Sequence, residues 1–162
     1  MDKKCKHVFF TSRVEKDFTT QCNGAAAING SYAILIHMKK KGETIIPSGV
    51  IPEKHEIKTT DFFTRLGKSV EFLRPSNTKK SPDIMMDGHK WEIKSPKNAG
   101  KYTIEHAIEA ASKQSSYVII DLRRSKTPEQ KALVKITREA TYRKRLKKVL
   151  VITKTGRLLD VK

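Results

Sequence analysis

The chain has 162 residues, and its 34 Lys and Arg against 17 Asp and Glu leave a net charge of +17 with a pI near 10.0. At 37% hydrophobic and 31% charged it can bury the core of one folded domain, which excludes a disordered chain. Apolar runs are only as long as Ala33–Ile36, far short of the roughly 20 residues of a membrane helix. Lys3, Lys4 and Lys6 have no apolar stretch behind them, so neither a membrane span nor a signal peptide is expected. The cation excess predicts a polyanionic partner, nucleic acid or an acidic protein, with a membrane surface the weaker reading. Two cysteines exclude a multi-disulfide framework. Cys5, His7 and Cys22 lack a zinc-site spacing, and free thiols are expected.

In chain order, Asn23–Gly30 reads as a turn or loop, Ser31–Met38 as a strand, and Thr44–Ile46 as a short return strand after the turn Lys39–Gly42. Pro47, Gly49 and Pro52 punctuate a boundary, so residues 1–50 are expected to be an accessory segment and 51–162 the functional domain. Ile57, Phe62, Phe63 and Leu66 have near-helical spacing, with Gly67 as the stop. Val70–Leu73 reads as a strand and Arg74–Ser81 as a polar loop. Asp83–Met86 and His89–Lys94 then read as a hairpin on Asp87-Gly88. Thr103–Ser115 is an amphipathic helix, Tyr117–Ile120 a buried strand, and Pro128–Lys148 a long basic helix. Val149–Thr153 and Leu158–Val161 close the chain as strands around Thr155-Gly156. The result is an α/β fold, a mixed central sheet flanked by helices.

The hairpin carries the chemistry. With Asp87-Gly88 as a two-residue turn, facing residues have numbers that sum to 175, so Asp83 lies opposite Glu92. Two carboxylates about 5 Å apart at Cβ cost stability unless a cation sits between them. Alternation along the second strand adds Lys94 to the same face and sends Trp91 and Ile93 to the other. Paired hard oxygen ligands beside an ammonium suit metal-assisted phosphodiester hydrolysis, with Mg²⁺ or Mn²⁺ as the divalent metal and Zn²⁺ as the alternative. A solvated face of an edge hairpin in a Lys- and Glu-rich protein fits the same alternation. His55 and His89 suggest a metal-independent acid–base pair, which no His spacing supports.

Charge is densest from Arg123 to Lys148, with eleven Lys or Arg against Glu129 and Glu139. Arg123 and Arg124 follow a buried-looking strand and are placed to grip a phosphate backbone at the sheet's carboxyl edge, with Lys126 beside them. The later cations read equally as a solvated helix face. Trp91, Phe62 and Phe63 are expected in the core, while Tyr102 and Tyr142 are candidate base-stacking residues.

Pro82-Asp83, an eight-residue spacer and Glu92-Ile93-Lys94 match the PD-(D/E)XK nuclease signature. More widely, the chain from His55 to Arg124 resembles the tRNase-type C-terminal toxin domains of CdiA proteins, effectors of contact-dependent growth inhibition. The resemblance runs through His55-Glu56, Phe62–Gly67, Val70–Leu73, Pro82–Ile84, Trp91–Pro96, Thr103–Glu105, Lys113–Ser115 and Ile119–Arg124. It implies a PD-(D/E)XK-like core in which Asp83 and Glu92 are metal ligands and Lys94 activates water. It adds Glu56 on the preceding helix as a further acidic member and Gln114 as a group reaching in from the second helix. It also implies a metal-dependent endonuclease toxin acting on tRNA in the target-cell cytoplasm and delivered as part of a larger exported polypeptide. Such a basic effector must be silenced in its producer, which calls for an acidic immunity protein. A DNase on the same scaffold and a non-catalytic nucleic-acid-binding module are the alternatives.

Overall fold

The structure is a computed structural model. It describes residues 40–75 and 81–162, together with the backbone of strands β1 (Ala25–Ile28) and β2 (Ser31–Ile34). The chain divides into two compact units, residues 1–39 and 40–162. In the first, β1 and β2 form an antiparallel hairpin with Ala25 opposite Ile34 and Ile28 opposite Ser31. Half of the segment expected to be a loop is therefore a strand, since pairing overrides the low strand propensity of an Ala-rich run. Cys5, His7 and Cys22 lie outside the described residues, as does most of the polar loop before Ser81.

The second unit is built on a seven-stranded sheet in the order β3 (Thr44–Ile45), β4 (Val70–Phe72), β5 (Ile84–Met86), β6 (His89–Lys94), β7 (Tyr117–Asp121), β8 (Lys148–Ile152), β9 (Leu158–Asp160). Pairing is parallel for β3–β4, β6–β7 and β7–β8, and antiparallel for β4–β5, β5–β6 and β8–β9. The expected mixed sheet is present. Thr44–Ile45 is not a return strand to Ser31–Ile34, however, because it pairs with Val70–Glu71. The sheet thus begins ahead of residue 51. Gly42 makes this possible by donating to the Thr64 carbonyl at 2.8 Å, where a Cβ would meet the Lys68 carbonyl oxygen at 1.9 Å.

Helix α1 (Lys54–Arg65) covers one sheet face, and α2 (Thr103–Gln114) and α3 (Glu129–Tyr142) cover the other. On the α2–α3 side, Ile104, Ile108 and Ala111 of α2 and Ala132, Ile136 and Ala140 of α3 pack on Val118, Ile120, Val149 and Val151. Phe63 of α1 packs on the opposite face with Val70, Phe72, Ile84, Met86, Trp91, Ile93, Ile119, Leu150 and Ile152. Strand alternation explains the division: Ile119 faces α1 while Val118 and Ile120 face α2 and α3. Among the described residues, no helix is long and apolar enough to cross a membrane.

Helix α1 ends where expected, with Gly67 at φ 84° and its N–H on the Thr64 carbonyl at 3.0 Å. Its buried stripe differs from the apolar one read in the sequence. Thr59, Thr60, Phe63 and Thr64 are buried, whereas Ile57 and Leu66 are exposed. The Thr60 and Thr64 hydroxyls are satisfied within the helix by the carbonyls of Ile57 and Asp61 at 2.9 and 3.0 Å, while Thr59 shares its one proton between the His55 carbonyl at 3.0 Å and Asp121 on β7 at 2.8 Å. Helix α3 stops at Tyr142, not Lys148. Arg143 turns extended, Leu146 is buried, and the N–H groups of Lys147 and Lys148 bond the Ser116 carbonyl, leading into β8. The pull of β7 on β8 outweighs the helical propensity of this basic run.

Candidate active site

The β5–β6 hairpin has the register expected of it. Ile84, Met85 and Met86 pair with Trp91, Lys90 and His89, and Asp87 and Gly88 take positive φ of 51° and 75° as a two-residue turn requires. Asp83, one step before β5, therefore stands opposite Glu92. The two strands separate here: the Asp83 N–H still donates to the Trp91 carbonyl at 3.0 Å, but its carboxylate takes the N–H of Ile93 at 2.7 Å. Trp91 and Ile93 are in the α1-side core, so Glu92 points to the other face, where α2 ends.

Glu92 is 1% exposed. Its Oε1 is held by the Lys94 ammonium and by the Gln114 amide, the latter at 2.6 Å, while Oε2 has no hydrogen-bond partner. Burial pushes its carboxyl up to about 7, with the charge of Asp83 adding to the rise and Lys94 opposing it. Burial also raises Asp83, against the pull of the Ile93 N–H and the Lys94 charge. Glu56, half-buried in the first turn of α1, is raised by desolvation and by the charge of Asp83. Its Oε2 takes the Glu53 N–H at 2.8 Å, so it also closes the helix end. Asp83, Glu92, Lys94 and Gln114 are thus gathered at one place with Glu56 at its margin. Among the described residues, no three His, Cys, Asp or Glu side chains form a ready-made metal cage.

Of the expected phosphate contacts, the two arginines are engaged within the protein. Arg123 forks onto Asp121, with Nη2 to Oδ2 at 2.6 Å and Nε to Oδ1 at 3.0 Å, and also reaches the Lys58 carbonyl at 2.8 Å. Arg124 binds Ser95 through its carbonyl at 2.9 and 3.1 Å and its hydroxyl at 2.7 Å. Lys126 is exposed, and its backbone N–H reaches the Lys97 carbonyl at 3.1 Å. His55 contacts Glu53 and His89 stacks on Tyr117 at 4.1 Å, so the two histidines are engaged separately. Tyr102 and Tyr142 are exposed.

Sequence reasoning missed the group at the end of β7. Asp121 is buried and also accepts the Thr59 hydroxyl of α1 at 2.8 Å and the Arg123 N–H at 3.0 Å. Burial would raise it, but these donors prevail and hold it below the ordinary aspartate range. The available signal was an aspartate closing an apolar strand, with an arginine two residues on.

A basic mixed α/β domain with a carboxylate–lysine cluster at the end of its central parallel strands is the class that fold and site define. Residues 79–158 match the family model described as the contact-dependent growth inhibition CdiA C-terminal domain. A solved structure described as a CdiA-CT/CdiI toxin and immunity complex from Burkholderia pseudomallei shares the fold. Its TM-score is 0.55 at 17% identity, over 75% of this chain and 99% of that one. No curated protein matches the chain in sequence. Residues 79–158 thus match the CdiA C-terminal domain family, and the fold is one found in a CdiA-type toxin and immunity complex.

Proposed function

We propose that this chain is a toxin domain and a metal-dependent nuclease that hydrolyses phosphodiester bonds in tRNA, with a PD-(D/E)XK arrangement made by Asp83, Glu92 and Lys94. One observation carries the reading: Glu92 is buried with Oε1 held by Lys94 and Gln114, Oε2 without a donor, and Asp83 across the hairpin. An orphan carboxylate oxygen between two carboxyls raised by burial, Glu92 further by the charge of Asp83, fits a divalent cation. Mg²⁺ or Mn²⁺ is served by one or two carboxylates with water and phosphate oxygens completing the shell, so the lack of a third protein acid is no obstacle. Zn²⁺, which favours nitrogen and sulfur, is served less well.

Asp83 and Glu92 would hold the ion. When bound, it supplies a water of lowered pKa and offsets charge on the phosphate. Gln114 and Lys94 fix the rotamer of Glu92, and Asp83 is fixed by the Ile93 N–H. Lys94, partly exposed, orients the attacking water and guides its proton. Glu56 is the outer acidic member. The +17 charge and the fold shared with a chain of a toxin–immunity complex support an acidic immunity protein that covers this site. The family match supports delivery, as part of a larger exported polypeptide, into the target-cell cytoplasm.

The test is incubation of the purified chain with total tRNA and plasmid DNA in Mg²⁺ or Mn²⁺, then in EDTA, beside Glu92→Ala. Metal-dependent tRNA cuts that vanish in the variant are the expected result. Plasmid nicking with intact tRNA would make the enzyme a DNase, cuts in EDTA would move the chemistry to histidine, and no cuts on either substrate would leave a binding module.

A further inference from the structure

We propose that the loops after β6 and β7 form a single preorganised clamp for the phosphate backbone of a nucleic acid. Lys97, Lys101 and Lys126 are its contacts, and Arg124 is the positioning residue that joins its halves. The clamp rests on the nuclease reading and adds to it the way in which substrate is held. Both loops leave the carboxyl ends of adjacent parallel strands, the edge at which open α/β sheets bind ligands. The first, Ser95–Tyr102, begins one residue after Lys94, and the second, Leu122–Pro128, one residue after Asp121. Neither contains an aspartate or glutamate, while together they carry Lys97, Lys101, Arg123, Arg124 and Lys126.

The loops are cross-linked to each other. Arg124 grips the Ser95 carbonyl and hydroxyl, Lys126 N–H bonds the Lys97 carbonyl, and the Thr127 hydroxyl bonds the Asn98 carbonyl at 3.4 Å. From α3, Lys135 reaches the Lys101 carbonyl and is itself paired with Glu105. Among the described residues Arg123 is neutralised by Asp121, whereas Lys97, Lys101, Arg124 and Lys126 make no ion pair with a carboxylate. Arg124 bonds only neutral acceptors, so its charge adds to the local potential while its fork fixes the geometry. The Lys97, Lys101 and Lys126 residues are exposed, on backbone held rigidly next to the cleavage site. Loop backbone that is already cross-linked loses little freedom on binding, which favours phosphate contacts here over those on unconstrained segments elsewhere.

Equilibrium binding of total tRNA to the full chain bearing Glu92→Ala, in EDTA and across a salt series, reads the clamp without cleavage. Adding Lys97→Gln, Lys101→Gln and Lys126→Gln should weaken binding by about 10- to 100-fold and flatten the slope of log K on log salt by about 2. The remote triple Lys144→Gln, Arg145→Gln, Lys147→Gln removes equal charge and should change the slope less. Arg124→Lys should leave the slope near its parent value but speed amide exchange over residues 95–101. Equal losses from the two triples, or an unchanged slope in the first, would overturn the clamp. Unchanged exchange in Arg124→Lys would overturn the positioning role. A chain that binds through the clamp but never cleaves tRNA or DNA would instead overturn the nuclease reading alone.

Discussion

The carboxyl ends of β6 and β7 each bury one carboxylate, and the two have opposite characters. Asp121 on β7 is surrounded by donors from Arg123 and Thr59 and is held below its ordinary range. Glu92 on β6 has Lys94 and Gln114 on one oxygen, nothing on the other and Asp83 opposite, and is pushed up to about 7. A satisfied buried charge ties elements together, here α1 to the sheet, whereas an incompletely satisfied one stores unfavourable energy that a bound cation relieves. Strained electrostatics of this kind mark functional sites more often than structural ones.

The sharpest way to break this comparison is on activity. Glu92→Gln keeps the shape and removes the charge, and tRNA cleavage should fall by on the order of 10³-fold. Asp121→Asn should instead leave folded protein with measurable cleavage but destabilise it by about 3 kcal/mol, since Arg123 loses its counter-charge while keeping some contact with water. Denaturant unfolding of both variants checks the division. Equal loss of activity in two fully stable variants would sink it.

Acidity separates the two groups further. Glu92 is raised in the fold, so between its ordinary 4.5 and about 7 the unfolded chain ionises while the folded one keeps the proton. Stability is therefore lost as pH rises through that window, and Asp83 and Glu56, also raised, add in the same sense. In EDTA, Glu92→Gln should accordingly be more stable than the parent at pH 8 by on the order of 2 kcal/mol, with the difference gone near pH 4. Asp121 has the opposite sign. Its lowered carboxyl contributes stability above the ordinary aspartate range that disappears as pH falls through its folded value, so the parent's advantage over Asp121→Asn should shrink in acid.

What the sequence disclosed follows the range of the forces involved. The hairpin register and the end of α1 were legible because Asp87-Gly88 and Gly67 set them locally. Gln114 was placed beside Glu92 only through the resemblance, as helix spacing alone leaves it an exposed polar residue. The end of α3 was not legible, because no Gly or Pro marks Tyr142 and the break comes from pairing with β7. The strand β1 was hidden by Ala and Gly, and the pairing of β3 by distance along the chain.

Thr59 tests the comparison most gently. It lies on the buried stripe of α1, which apolar periodicity passed over, and donates at 2.8 Å to the same Asp121 oxygen that Arg123 holds. Thr59→Val preserves shape and removes only that donor, so the loss should be about 1 kcal/mol, much less than for Asp121→Asn. Asp121 should titrate somewhat higher in the variant, since one of the groups that lowers it has gone. Carboxyl-carbon NMR would follow that shift directly. If Asp121 titrates unchanged while stability falls, the hydroxyl matters to helix α1 alone, where it also bonds the His55 carbonyl at 3.0 Å, and not to the carboxylate it faces.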